Sequence, residues 1–197
     1  MSDTETTKMK ANYRIFLSAL LVLTGLQIGA QAQEYRSATK YGERGQAPGM
    51  KVKLLSTVGE VKTYAVIMAK GDEAVSGLTE FAEKYNVKSA HFQAIGDALH
   101  LEVGWFDYKR KQFLVLPIDT AEITSFTGDI AWYKDKPVAH THASASLKDG
   151  SVKGGHLLQL IVGPTLEVIV TVEPTKLFKR LNEEFEAGLI DPDIKEK

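Results

Sequence analysis

Residues 138–170 read VAHTHASASLKDGSVKGGHLLQLIVGPTLEVIV, and their opening third alternates residue by residue. A period of two is the signature of a strand, with successive side chains on opposite faces. His140, His142, Ser144 and Ser146 then share one face, and Ala139, Thr141, Ala143 and Ala145 the other. Imidazoles two residues apart stand about 6–7 Å from each other along a strand, near enough to share an ion. His156 opens the next apolar run after a turn, so this stretch holds three of the five histidines. Zinc takes three histidines where a fourth position stays open to water or ligand. The plainer alternative is a polar, solvated strand face.

Register separates the two readings. A two-residue hairpin on Asp149-Gly150 sets His142 opposite Leu157 and turns His156 away from the pair. A shared site therefore requires Gly154-Gly155 to bulge, or a wider loop, either of which shifts the phase by one.

The rest of the chain predicts mostly strands. Residues 52–58 and 61–69 are apolar, β-branched runs parted by Gly59-Glu60. Gly71-Asp72 supplies a break and a helix cap, and Val75, Leu78, Phe81, Ala82 and Tyr85 fall on one helical face that ends near Asn86. Strands follow at 87–95, 98–108 (Leu99, Leu101, Val103 and Trp105 on one face), 112–118, 122–130 and 166–172. Turns are expected at Gly96-Asp97, Lys109-Arg110 and 132–137. Strand upon strand with short turns predicts an antiparallel sheet or barrel. After Pro174, Thr175 is read as the cap of a final amphipathic helix through Leu177, Phe178, Leu181 and Phe185.

The N-terminus bears on location. Lys8, Lys10 and Arg14 precede an uncharged run over 15–30, and Ala30-Gln31-Ala32 is a small-x-small cleavage site. Residues 1–32 read as a signal peptide, which places the mature protein in the periplasm or outside the cell, without a membrane span. Cleavage leaves 21 of the 24 Lys and Arg against 23 of the 25 Asp and Glu, net −2. That balance opposes binding to a phosphate backbone. Residues 33–49, with Gly42, Gly45, Pro48 and Gly49, read as a flexible arm. A domain over 50–174 and a C-terminal helix and tail over 175–197 complete the division. No cysteine is present, so disulfides and thiolate ligands are excluded.

The series GDEAVSGLTEFAEKYNVKSAHFQAIGDA, VGWFDY, AEITSFTGDI, AHTHASASLKDGSVKGGHL and LEVIV resembles the domain shared by plants and prokaryotes, the PPC domain, over about residues 61–173. The resemblance implies an α+β fold, a bent, mostly antiparallel sheet with one or two packing helices, assembled as a homotrimer. By similarity to prokaryotic members, His140, His142 and His156 are the implied metal ligands, with zinc the implied ion. Plant members carry AT-hook segments for the DNA minor groove. Here no Arg-Gly-Arg-Pro hook occurs, and Glu43-Arg44-Gly45-Gln46 is only a chance likeness.

Together these features point to an exported, PPC-like metal-binding protein. The alternatives are a non-catalytic trimeric binding or assembly module, and a DNA-binding protein by analogy with plant members. No motif assigns a reaction. A catalytic version needs a base near the metal. Glu122, Asp129 and Glu167 are the strand carboxylates at hand, Glu167 foremost because its strand follows that of His156. Ser144 shares the histidine face and is a candidate to line the site. An open metal position with neutral ligands suits a small anionic ligand. His91 and His100 read as surface or core-edge residues.

Overall fold

In the computed structural model, residues 33–38 and 45–195 are described. From Glu34 onward they belong to one compact unit. The expected signal peptide lies outside the described residues. Among those residues no helix is long and apolar enough to cross a membrane.

The elements are β1 (Tyr35–Ser37), β2 (Lys51–Val58), β3 (Val61–Ala69), α1 (Ala74–Lys84), β4 (Ser89–Asp107), β5 (Gln112–Tyr133), β6 (Lys136–Ser146), β7 (Val152–Glu173), β8 (Phe178–Asn182) and β9 (Ala187–Asp191). They form one sheet in the order β2-β3-β7-β4-β5-β8-β9, with β1 on β5, and β6 joining β5 to β7. Among the described residues, only the β5–β8 pairing is parallel. β4, β5, β6 and β7 thus pair in a closed cycle around the core. Closure leaves these four strands few free edges.

The predicted α+β, sheet-dominated fold is present, with one helix among the described residues. Three expected breaks are bridged. Residues 87–95 and 98–108 join as β4, 112–118 and 122–130 join as β5, and β7 runs unbroken from the histidine loop to Pro174. Gly96 bends β4 at a register shift without ending it. Partners on both edges keep each long strand extended where local sequence alone predicts a stop. The same shifts change the phase of β4. Leu101 and Val103 are buried, whereas Leu99 and Trp105, expected beside them, are 40% and 59% exposed.

α1 lays Val75, Leu78, Phe81 and Ala82 into the core and packs over β6 and β7. Its cap is Glu73 rather than Asp72. The Glu73 carboxylate accepts the Ser76 amide at 2.8 Å and the Val75 amide at 3.2 Å. Asp72 instead clamps the preceding turn, accepting the amides of Gly49 and Ala69, each at 2.9 Å.

The described part of the arm at 33–49 is held rather than loose. β1 pairs with β5 at Tyr35↔Leu114, and Arg36 forks onto Glu102. Ala47 is buried, and the Gln46 carbonyl accepts the Glu73 amide at 2.9 Å.

The C-terminal helix is not formed. Residues 178–191 make a β-hairpin, β8–β9, pairing Phe178 with Asp191 through to Asn182 with Ala187. Apolar spacings of three and four fit a helix, yet Trp132 of β5 offers an open strand edge to Phe178. Left-handed backbone at Glu186 (φ 50°) then reverses the chain. Burial of Lys179 and the aromatic contact of Phe185 with Tyr108 hold the hairpin down.

Candidate metal centre

β6 follows a two-residue turn in which Lys134 and Asp135 both have positive φ, 49° and 61°. Such a turn matches the strand twist and fixes the β5–β6 register. Asp129 consequently stands opposite His140, and Thr127 opposite His142. The alternation in β6 is as the sequence predicts. Thr141, Ala143 and Ala145 are buried in the core, and the histidine side chains face outward.

The phase problem is solved at the turn. β6 and β7 are joined by a five-residue loop, 147–151, so His142 lies opposite His156 and Ser146 opposite Val152. Gly154 and Gly155 do not bulge in this pairing. Their role is close approach: a Cβ on Gly154 would lie 2.6 Å from the Ala143 carbonyl oxygen, and one on Gly155 2.7 Å from that of Gly104. Gly154→Ala is therefore expected to cost about 1–3 kcal/mol, read as a lower denaturation midpoint, because backbone must move to admit the methyl group.

His140, His142 and His156 meet as a triangle with ring centroids 5.0–5.4 Å apart. One nitrogen from each lies within 4.8 Å of the others. Nitrogens about 2.0–2.1 Å from a shared zinc lie at most about 4.2 Å apart, so small ring rotations bring the set to a bound geometry. The donor set of three imidazoles fits a divalent ion such as zinc.

The surroundings orient the rings. His156 stacks on Phe113 at 4.3 Å and 11°. His140 Nδ1 lies 3.4 Å from Asp129 Oδ2, which leaves Nε2 as the free ligand atom. Lys179 Nζ stands 3.2 Å from the other Asp129 oxygen, with its side chain 2% exposed. Burial pushes the Asp129 carboxyl up, but the His140 hydrogen bond and the Lys179 charge outweigh it and hold the group below the ordinary carboxylate range. His142 is held below the usual histidine value, chiefly by burial and then by the neighbouring His140. Neutral imidazole is the form that ligates metal.

The triad opens into a cleft of 480 Å³, lined also by Gly104, Trp105, Phe106, Tyr108, Phe113, Lys179 and the β8–β9 hairpin. The other expected site residues lie elsewhere. Glu167 lines a separate groove with Gln93, Ile95, Thr124 and Ile169. Glu122 is exposed and pairs with Ser146 and Asp97. Ser144 is engaged with Thr124 at 3.0 Å. Each is placed by strand register, which carries its side chain past the cleft. His100 bonds Asp119 at 2.6 Å, and His91 is exposed. The carboxylate that stands against the triad is Asp129. Lys179 and Phe113 had no sequence signal, because their positions depend on the hairpin fold and on cross-strand neighbours.

Asp129→Asn is expected to weaken metal binding about 10–100-fold, as loss of an oriented partner to a ligand histidine does. It also strands a buried cation, a cost of about 3–5 kcal/mol. Asp129→Asn/Lys179→Met should recover stability without recovering affinity, which separates the two roles by thermal denaturation and metal titration.

The Plants and Prokaryotes Conserved (PCC) domain matches residues 55–174. The chain belongs to this family. Among solved structures, it is similar to a protein from Ralstonia eutropha JMP134 whose name suggests DNA binding, at 31% identity and TM-score 0.64, over 71% of this chain and 95% of that one. It also shares its fold with a plant- and prokaryote-conserved protein from Pyrococcus horikoshii (22% identity, TM-score 0.62, 73% and 97% covered). A metal-containing protein from Archaeoglobus fulgidus has the fold too, at 24% identity and TM-score 0.61, over 72% and 96%. No curated protein matches the chain.

Proposed function

We propose that this is an exported metal-binding member of the family, holding one zinc ion on His140, His142 and His156 beside a cleft for a small anionic ligand. The observation that carries the reading is the triad itself: three imidazoles from two strands, with ligand atoms within 4.8 Å of one another and Asp129 behind His140. The metal-containing Archaeoglobus relative supports it. Three neutral ligands would leave the ion's charge uncancelled, and an ion so held would supply Lewis-acid chemistry toward an oxygen ligand or water. The chain's own part is to fix His140 through Asp129, to seat His156 on Phe113, and to shield the site with the C-terminal hairpin. Elemental analysis of the purified protein tests this. About one zinc per chain is expected, and the absence of any bound metal would overturn it.

Export and trimer formation belong to the same proposal. The charged start, apolar run and Ala30-Gln31-Ala32 site support export, and an N-terminus at Gln33 in the secreted protein is the expected result. Exposed Ile95 (65%) and Ile169 (39%) beside the second groove support a face for further copies, with a solution mass of three chains expected. The name of the Ralstonia relative favours DNA binding, but the net charge of −1 opposes it. No salt-sensitive retention of duplex DNA is expected.

A further inference from the structure

We propose that the cleft selects a monocarboxylate with an aromatic or branched apolar body, and that the β8–β9 hairpin reads that body. The inference rests on the metal reading for the ligand's head group. It goes further in naming the ligand's chemistry and the element that chooses it.

The cleft is chemically two-sided. Its floor is the histidine triangle. Around it stand Trp105, Tyr108 and Phe113, and Phe185 and Leu189 of the hairpin, with Phe185 against Tyr108. Trp105 is 59%, Tyr108 71% and Leu189 43% exposed. Apolar side chains gathered around a concave surface mark a binding site more than a solvated face. At 480 Å³ the cleft lies within the roughly 300–1,000 Å³ usual for small-molecule sites.

Charge sets the head group. Among the described residues that line the cleft there is no aspartate or glutamate, and Lys179 is the charged one. The charge of Lys179 is matched by Asp129 at 3.2 Å, so the positive charge that attracts a ligand sits at the triad when metal is bound. A phosphate site draws on several cations or on a helix N-terminus. Neither is found among the described residues that line this cleft. A single carboxylate on an apolar body matches what is present: one localised positive centre and an extended apolar wall.

The hairpin is the selective part. Residues 178–191 fall beyond the family match at 55–174, so the wall made by Phe185 and Leu189 is an addition of this chain to the family domain. Removal of that wall would leave the triad on an open sheet face, able to take any small anion.

The test is calorimetric titration of the zinc-loaded full chain with phenylacetate, acetate, inorganic phosphate and benzyl alcohol, with zinc content measured in parallel. Phenylacetate is expected to bind about tenfold or more tighter than each of the others, since its ring replaces water against the aromatic wall. Phe185→Ala and Leu189→Ser should each weaken phenylacetate about fivefold or more at unchanged zinc content. Leu189 is partly exposed, so its variant keeps the fold and carries the test should Phe185→Ala disturb the hairpin. Equal affinity for phenylacetate and acetate, or unchanged affinity in both variants, would overturn the inference while the metal reading stands. A chain that takes up no zinc overturns the metal reading. In that case, hairpin-dependent phenylacetate binding still supports the cleft, and no binding sinks both.

Discussion

Chelation of the metal is expected to lower the melting temperature of the protein by roughly 8–16 °C, and to leave the His140→Ala/His142→Ala variant unchanged. The argument is mass action. An ion that binds the folded chain at about a thousand times its dissociation constant stabilises it by about 4 kcal/mol. A domain of this size shifts by about 2–4 °C per kcal/mol. The three proposed ligands lie on β6 and β7, and His156 also pairs with Gly104 of β4, so the ion would pin a point where three strands meet. An unfolded chain has no comparable site, since His156, 14 residues beyond His142, then meets the other two only by chance. The double variant removes two of the three donors and should retain little zinc. A variant that kept its full metal content would place the ion elsewhere and sink the site.

The second large effect is expected at Glu73. Its side chain is buried, with the residue 1% exposed, and it joins two parts of the fold, α1 and β7. Besides the Ser76 and Val75 amides, it accepts the Ser76 hydroxyl at 2.7 Å and the Leu160 amide of β7 at 3.2 Å. Glu73→Ala would leave these donors without their acceptor in the interior, at about 1–3 kcal/mol for each group that cannot find water. A total loss of about 3 kcal/mol or more is expected by chemical denaturation. Glu73→Gln keeps one acceptor oxygen but turns an amide group toward donors, and should fall between. If both variants matched the parent, the bonds to α1 and β7 would contribute nothing, and the helix would be held by its apolar face alone.

These two positions differ in how they show in the chain. The histidines announce themselves: the alternation of β6 places His140 and His142 on one face whatever the rest of the chain does. Glu73 is one acidic residue among several near a helix start, and Asp72 is the more usual cap. The chain folds so that Asp72 holds the turn and Glu73 reaches β7, a choice made by Leu160 rather than by local preference.

What the sequence determined by itself was therefore local and periodic. It set the strand faces of β6, the amphipathic face of α1 with Phe81 and Leu78 inward, the hairpin of β2 and β3, and the histidine types needed for a metal. Period and turn chemistry act over a few residues and leave a readable trace. The tertiary structure decided the rest. Whether His156 joins His140 and His142 turned on the five-residue loop at 147–151, which shifts the register by one from that of a two-residue turn and so inverts a strand's faces. Whether Gly96 ends β4 or only bends it depended on partners along both edges. Whether residues 178–191 become helix or hairpin depended on the open edge at Trp132, and with that choice came Lys179, Phe185 and Leu189 beside the site. A spacing of three and four satisfies a helix locally, but contacts made across the chain outweigh the small differences in local propensity.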